Sequence, residues 1–369
     1  MLLALVGALL VAPAPAGAAK RKVPPKFYGA MWDKEIQDGS PELYDQEWAK
    51  MAVNGVEAAR VIFSWNLAQE QQGQTTFRFT DPMVGAAARH GIEALPVVTY
   101  APPWARVQPG ELGSAPSNYQ AYADYLKILI ARYGPGGQFW SENPSLPYKP
   151  IRYWQIWNEP GVPYQWSPQD NWPERYGELL RLAYATVKQA DPGAKVVMAG
   201  LANASWEEMD ALYDRGGVKG SFDIAGVHYY ARITSQFLDV SKRLRKSIDK
   251  HGDKRIPIWW TEAGASASKG KIDSPGNEHF QTTDSGLARQ LTSTYKLFIR
   301  YRNKLRIKRV YWYTWASSYS KDAGAFDFSG MNVFDGQSVS PKPSLAAYKK
   351  SARKYEGCKK DERARCVRR

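Results

Sequence analysis

YWQIWNEP, residues 153–160, is an apolar run that ends in Asn158 and Glu159. Short apolar runs rich in aromatic residues are typical of buried strands. A second run of this kind, IPIWWTEAG at residues 256–264, carries Glu262 near its end. The two stretches therefore predict two buried strands that each present a carboxylic acid where the strand ends.

Strand-like runs and amphipathic helical patterns alternate from one end of the chain to the other. Eight strands are predicted, at residues 27–32, 56–63, 93–98, 152–157, 195–200, 222–229, 257–261 and 309–315. Helical patterns lie at residues 41–53, 81–90, 117–133, 172–190, 204–213, 238–251, 284–303 and 342–355. This alternation favours an α/β fold, and eight such units match a (β/α)8 TIM barrel as a single domain, residues 25–356.

The barrel fold places reacting groups on the loops that follow the strands. Because Glu159 and Glu262 end the fourth and seventh predicted strands, we expect both acids on the same rim, although they lie far apart in sequence. Four long connections are expected to form the walls of a cleft on that rim, at residues 64–80, 101–116, 134–150 and 316–341.

The N-terminus of the chain predicts an exported protein. Residues 1–18 contain an apolar run followed by small residues, which is the pattern of a signal peptide and indicates a secreted or extracytoplasmic location. No segment has the roughly 20 apolar residues that a membrane-spanning helix requires. Cys358 and Cys366 lie in a basic C-terminal tail, residues 357–369, and form either a local disulfide or two free thiols.

The formal net charge of +14 is concentrated in three segments, residues 239–255, 291–309 and 350–369. The segments that carry the two acids are close to neutral. Solvated helical faces are the commoner explanation of such an excess, and weak attraction to anionic cell-surface polymer is the alternative. No motif supports nucleic-acid binding.

Two carboxyl groups on one rim suit the cleavage of a glycosidic bond. This reaction needs a proton on the leaving oxygen and stabilisation of an oxocarbenium-like centre, so glycosidases pair a protonated carboxyl group with an ionised one. The neighbouring tryptophans give Glu159 an apolar setting, which favours its protonated form. Arg60, a charge inside the apolar second strand, and Tyr230, at the end of the sixth, are candidate partners that keep Glu262 ionised.

Aromatic residues are abundant, with 14 Trp and 22 Tyr in the chain. Such rings stack on the C–H faces of sugars or fill core volume. Trp32 and Trp104 fall on expected rim loops and are therefore candidates for contact with a carbohydrate, with core packing as the alternative.

WNEP at residues 157–160, together with TE at residues 261–262, resembles the clan A retaining glycoside hydrolases over nearly all of the chain. Within the clan, APPWA at 101–105, YWYTW at 311–315 and PKP at 341–343 are most similar to glycoside hydrolase family 39 and its cellulase-like family 5 neighbours. The resemblance implies hydrolysis of O-glycosidic bonds, of β configuration, in a poly- or oligosaccharide. No cofactor and no metal are expected.

The resemblance also assigns roles to the residues at the two strand ends. It implies that Glu159 is the general acid/base, that Glu262 is the nucleophile, and that Asn158 donates a hydrogen bond to the sugar 2-hydroxyl. Retention by double displacement requires the two carboxyl groups to lie roughly 5–5.5 Å apart.

Further residues match positions of the clan around these acids. Arg60, His228 and Tyr230 are implied to order the nucleophile and its subsite, and Trp315 to form an aromatic platform after the eighth strand. One departure is Tyr100, since several clan members carry a His after the third strand.

Two other functions fit the same residues. One is a carbohydrate-binding barrel without turnover, and the other is a transglycosylase, in which a sugar hydroxyl replaces water as the acceptor. Arg60 also fits a structural ion pair, and His228 a buried core histidine, because no metal-ligand cluster or catalytic triad pattern supports another role. In every case the expected partner is a carbohydrate, and the protein is expected to be a monomer.

Overall fold

The structure is a computed structural model that describes residues 21–32, 40–202, 204–320 and 324–357. The predicted signal peptide and both cysteines lie outside these residues. Strands occur at Tyr28–Met31 (β1), Ala58–Ser64 (β2), Glu93–Thr99 (β3), Tyr153–Ile156 (β4), Lys195–Leu201 (β5), Ile224–Tyr230 (β6), Ile258–Gly264 (β7), Ile307–Trp312 (β8), Ala316–Ser317 (β9), Asn332–Phe334 (β10) and Val339–Pro341 (β11).

Ten α-helices surround or connect these strands in the described part of the chain. They span Pro41–Val53 (α1), Trp65–Ala68 (α2), Thr80–Arg89 (α3), Tyr119–Tyr133 (α4), Gln138–Glu142 (α5), Trp172–Ala190 (α6), Ser205–Asp214 (α7), Thr234–Lys250 (α8), Asp284–Leu305 (α9) and Pro343–Glu356 (α10). Among the described residues, no helix is both long and apolar enough to cross a membrane.

Strands β1 to β8 close into a parallel barrel in sequence order, with β8 paired to β1. This closure confirms the predicted (β/α)8 TIM barrel. The strands are buried along most of their length because helices cover their outer faces, which explains why they appear in the sequence as short apolar runs.

Polar residues fix the starts of several helices. The side chains of Ser40, Asn118 and Thr283 each accept a hydrogen bond from the backbone N–H three residues later, at the starts of α1, α4 and α9. Such caps satisfy backbone donors that have no partner inside the helix. They also determine where each preceding loop ends.

The barrel interior changes character along its axis. Its lower part, toward the strand N-termini, is an apolar cluster of Ala58, Leu95, Val197, Ile224, Trp259 and Tyr311. Its upper part contains the polar residues Arg60 and Gln155, which are fully buried. Side chains alternate along a strand, so Ala58 and Arg60 both point inward from β2.

Two sequence-based expectations, one about a loop and one about the end of a strand, are wrong. The connection 134–150 lies between α4 and β4, so it belongs to the opposite end of the barrel from the loops that follow the strands. The eighth strand ends at Trp312 rather than at residue 315, and the chain then enters a small sheet with strand order β11-β10-β9. Neither feature interrupts the barrel.

Candidate active site

Two buried carboxyl groups face each other at the upper end of the barrel. Glu159 follows β4, Glu262 lies within β7, and the side chains bring carboxylate oxygens within 4.8 Å of each other. The two residues are 8% and 7% exposed, respectively. Glu159 has a backbone φ of 42°, a left-handed conformation that residues other than glycine rarely adopt and that clusters at functional sites.

Donors surround Glu262. Arg60 Nη1 donates to Oε1 of Glu262 at 2.6 Å, and the hydroxyl of Tyr230 donates to Oε2. Burial raises the pKa of Tyr230 well above its usual value, so this hydroxyl keeps its proton. Both oxygens of Glu262 are therefore held by donors, one of which carries a positive charge.

Arg60 also connects the acid on β7 to β4 and the loop that follows it. Its Nε donates to Gln155 at 2.8 Å, and its Nη2 donates to Asn158. The planar guanidinium therefore holds Asn158 and Glu262 in one fixed arrangement. Gln155 was not among the predicted site residues, although a buried amide in an apolar strand is the same kind of signal as Arg60.

Glu159 has a different environment. Burial raises its pKa to about 7, and the charge of Arg60 partly opposes this increase. Its one close side-chain partner among the described residues is His228, whose Nδ1 lies 2.7 Å from Oε1 of Glu159. Glu159 thus keeps its proton to a higher pH than an ordinary carboxyl group does, which suits a general acid.

His228 lies closer to the acid/base candidate than to the nucleophile candidate. Its Nδ1 is 3.6 Å from Glu262, compared with 2.7 Å from Glu159. Burial lowers the pKa of His228 to about 3, so the ring is neutral and is not a cationic partner for either acid. Its Nε2 has no partner among the described residues and lies against Gly200, where an added Cβ would be 1.9 Å away.

A third carboxyl group lies near Glu159. Glu208, on α7, accepts a hydrogen bond from the backbone N–H of Ala202 at 3.1 Å. Burial, followed by the charge of Glu159, raises the pKa of Glu208 to about 8. Glu208 was not among the predicted site residues, because an acid in the first turn of a helix is an ordinary surface feature.

Glu159, His228 and Glu262 are also the one group in the described part of the chain with the residue types and spacing to hold a metal ion. The guanidinium of Arg60 is hydrogen-bonded to one oxygen of Glu262, so a cation there would lie next to a fixed positive charge. The absence of a metal remains a prediction.

The acids open into a cavity of about 540 Å³, within the range of small-molecule sites. Of the predicted residues, Asn158, Glu159, Tyr230 and Glu262 line it. Tyr313 also lines it and was missed. Tyr313 directly follows the end of β8 at Trp312, so its position at the cavity could not be predicted from strand alternation.

The structure overturns two aromatic assignments. Trp32 and Trp315 have no exposed surface, so neither can stack on a sugar. Trp32 packs on Trp48 with ring centroids 4.9 Å apart, and Trp315 donates its indole N–H to Glu47 at 2.9 Å. Beyond the end of β8 the strand alternation no longer applies, which is why Trp315 turns into the core.

Trp104 is half-buried and is not among the residues that line the cavity. Its indole N–H donates to the backbone carbonyl of Gln69 at 2.9 Å, and its ring lies edge-on to Trp65. Packing beside the cavity is therefore the role that the structure gives it.

Similarity to solved structures supports the same barrel. A family 39 glycoside hydrolase from Bacteroides cellulosilyticus is 18% identical with a TM-score of 0.63, covering 90% of this chain and 64% of its own. A monomeric beta-xylosidase from Caulobacter crescentus is 17% identical with a TM-score of 0.63, covering 90% and 69%. A beta-glycosidase is 12% identical with a TM-score of 0.65, covering 93% and 100%.

At these identities the similarity shows only the fold. Proteins with this barrel include family 39 glycoside hydrolases, which is the family that the sequence motifs resemble. The chain spans less than two thirds of the length of the Bacteroides protein. The sequence matches no protein-family model and no curated protein.

Proposed function

We propose that the protein is a retaining glycoside hydrolase that cleaves O-glycosidic bonds, with Glu159 as general acid/base and Glu262 as nucleophile. The observation that carries this proposal is the pairing of the two acids, with oxygens within 4.8 Å of each other at the open end of the barrel. Retaining enzymes place their carboxyl groups about 5–5.5 Å apart, whereas inverting enzymes leave about 6.5–9.5 Å for a water molecule.

The two environments support the order of events. Protonated Glu159 gives its proton to the glycosidic oxygen while ionised Glu262 attacks the anomeric carbon, so the aglycone leaves as an alcohol and a glycosyl ester forms on Glu262. Ionised Glu159 then takes a proton from water, whose oxygen attacks the anomeric carbon and releases the Glu262 carboxylate. Two displacements at one carbon retain its configuration.

The surrounding polar residues have distinct tasks in this scheme. Arg60 and Tyr230 hold the nucleophile by its two oxygens, and Asn158, fixed by Arg60, is placed to donate to the sugar 2-hydroxyl. Neutral His228 positions Glu159 without adding a charge that would favour its ionised form. Tyr313 offers a ring at the cavity wall.

A panel of 4-nitrophenyl β-glycosides, tested on the wild type and on Glu262→Ala, examines the proposal directly. We expect turnover of at least one glycoside by the wild type, a first-formed sugar with the β configuration by proton NMR, and loss of turnover in the variant. A 2-deoxy-2-fluoro glycoside of the accepted sugar should add one glycosyl mass to the peptide that contains Glu262.

Three outcomes would contradict this proposal. Carbohydrate binding without turnover would favour the non-catalytic barrel, and a first product of α configuration would indicate inversion. Transfer to sugars in preference to water would favour the transglycosylase.

We also propose an extracytoplasmic site of action from residues 1–18, to be checked by N-terminal sequencing of the protein isolated from its own cells.

A further inference from the structure

Exposed apolar side chains concentrate around the cavity. Seven large hydrophobic residues are exposed in the described part of the chain, and four of them line the cavity: Leu67, Leu112, Tyr164 and Phe326, which are 38%, 52%, 70% and 39% exposed. Single exposed hydrophobic residues are ordinary, but a cluster of them marks a site of interaction. The cavity rim is therefore adapted to an apolar surface.

Five apolar side chains from one stretch of the chain, residues 62–83, line one side of the cavity. Ile62 at the end of β2, Leu67 and Ala68 in α2, and Phe79 and Met83 at the start of α3 all line it. We call these five residues the apolar arm. Because Ile62 points inward two positions after Arg60, the arm is continuous with the chamber that holds the two acids.

The apolar arm provides few groups that could bind sugar hydroxyls. Among the described residues that line the cavity, the charged ones are Glu159 and Glu262, and both belong to the catalytic pair. Thr80 lies beside the arm, but its hydroxyl is already bonded to the hydroxyl of Tyr133. Ser64, Asn66 and Thr76 also line the cavity, and Asn66 Oδ1 and Thr76 Oγ1 accept hydrogen bonds from Arg106 and from the backbone N–H of Arg78. A sugar ring against the five apolar residues would lose water from its hydroxyls and find few free partners there, which is unfavourable.

Resting on the proposed function, we infer that the substrate is a glycoside that carries a hydrocarbon chain, and that the apolar arm binds this chain. Branched aliphatic and thioether side chains form most of the arm, and such side chains adapt to a flexible chain. Burial of each methylene against them is worth about a threefold to fourfold gain in affinity. The proposal makes chain length, in addition to the sugar, a determinant of specificity.

The test measures binding of methyl, butyl and octyl β-D-glucosides by calorimetry, with the glucosides below their micellar concentrations. The protein carries Glu262→Gln, so that binding is measured without turnover. We expect the dissociation constant to fall about threefold per methylene over the first carbons, and at least about tenfold from methyl to octyl. Adding Leu67→Asn should flatten this dependence, and Phe79→Asn should do so independently.

Val107→Asn is the matched control, because Val107 is 41% exposed, like Leu67, but does not line the cavity. It should leave the chain-length dependence unchanged. Affinity that does not vary with chain length would overturn the inference, as would an equal effect of Val107→Asn and Leu67→Asn. Tighter binding of an unsubstituted tetrasaccharide than of octyl glucoside, lost in Leu67→Asn, would instead show that the arm binds sugar.

Failure of this inference is distinguishable from failure of the proposed function. If wild-type protein hydrolyses aryl glycosides while its affinity for alkyl glucosides does not depend on chain length, the hydrolase assignment stands and the arm proposal is wrong. If no glycoside is hydrolysed but affinity increases with chain length, the arm proposal stands as a binding property and the hydrolase assignment falls.

Discussion

The two ends of the barrel interior each contain a buried arginine paired with a glutamate. At the upper end, Arg60 bonds Glu262 and opens onto the cavity. At the lower end, Arg309 on β8 bonds Glu93 and lies over the ring of Trp259, with its guanidinium carbon 3.9 Å from the ring centroid. The upper pair is thus almost fully buried beside the cavity that holds the second acid, whereas the lower pair is stacked on aromatic rings and leaves Glu93 31% exposed.

This difference shows that a buried ion pair is not by itself a sign of function. The lower pair belongs to a packed layer with Tyr153 and Tyr311, where it completes the barrel floor. The upper pair lies beside a second acid and a space for a ligand. We therefore expect substitutions at the lower end to reduce stability and substitutions at the upper end to reduce activity.

The largest expected effect is that of Glu262→Gln. Loss of the nucleophile should lower kcat/KM by at least about 10⁴-fold, because an amide cannot form the glycosyl ester. Glu93→Gln is the control at the opposite end, and it should retain kcat/KM within a few fold. Steady-state kinetics on the best aryl glycoside measures both, and comparable losses in the two variants would contradict the comparison.

The next largest effect is expected when Arg60 is replaced by methionine, with the same replacement of Arg309 as its counterpart. Arg60→Met should lower kcat/KM by about 10²- to 10³-fold, since it removes a preorganised donor from the nucleophile. Arg309→Met should leave kcat/KM nearly unchanged and lower the free energy of unfolding by about 1–2 kcal/mol, because it removes the hydrogen bonds to Glu93 and Tyr311. Urea denaturation with parallel kinetics separates the two effects; an inactive but stable Arg309→Met protein would refute the assignment.

The pH dependence of kcat/KM should reflect the ionisation of the Glu159 carboxyl group. The proposed mechanism requires its protonated form and its pKa is raised to about 7, so kcat/KM should fall as pH increases through about 7. Because the charge of Arg60 lowers this pKa, Arg60→Met should move the alkaline limb to higher pH, whereas Arg309→Met should leave it in place. An unchanged limb in Arg60→Met would contradict the coupling between the two groups.

A smaller effect is expected from Gly200→Ala. The added methyl group would lie 1.9 Å from Nε2 of His228, so the ring must move and its contact with Glu159 must change. We expect kcat to fall by about 10- to 100-fold through misplacement of the acid/base. Gly85→Ala on α3 is the control, since its nearest neighbour would be 3.6 Å away. Normal activity of Gly200→Ala would remove the positioning role of His228.

The smallest effect concerns the two aromatic residues after β8. Trp315→Phe removes the hydrogen bond to Glu47 and should lower the free energy of unfolding by about 1–2 kcal/mol without changing KM. Tyr313→Ala removes a cavity wall and should raise KM without a comparable loss of stability. The opposite pattern would restore Trp315 as the substrate platform.

Much of the fold and the central pair of acids could be predicted from the sequence. Alternating strand and helix patterns indicate the barrel, and the barrel places Glu159 and Glu262 on one rim. Arg60 could be singled out because a charge in an apolar strand needs a partner. These inferences succeed because they depend on local pattern and on a known topology.

The remaining features depend on three-dimensional fit. The resemblance implied a platform role for Trp315, but the strand ends at Trp312 and the chain beyond it places Trp315 in the core. Likewise, the space that Gly200 leaves for His228 and the burial of Glu208 arise from contacts between elements. Local sequence carries no record of such contacts.

The contacts of Arg60 also have a consequence for motion. Its guanidinium bonds Gln155 on β4 and Glu262 on β7, strands on different sides of the barrel. We therefore expect fluctuations of these two walls to be correlated, and the distance between the acids to vary less than the distance between either wall and its outer helix. A rigid chamber beside an adaptable apolar arm would let one enzyme keep its chemistry constant while it accommodates chains of different length.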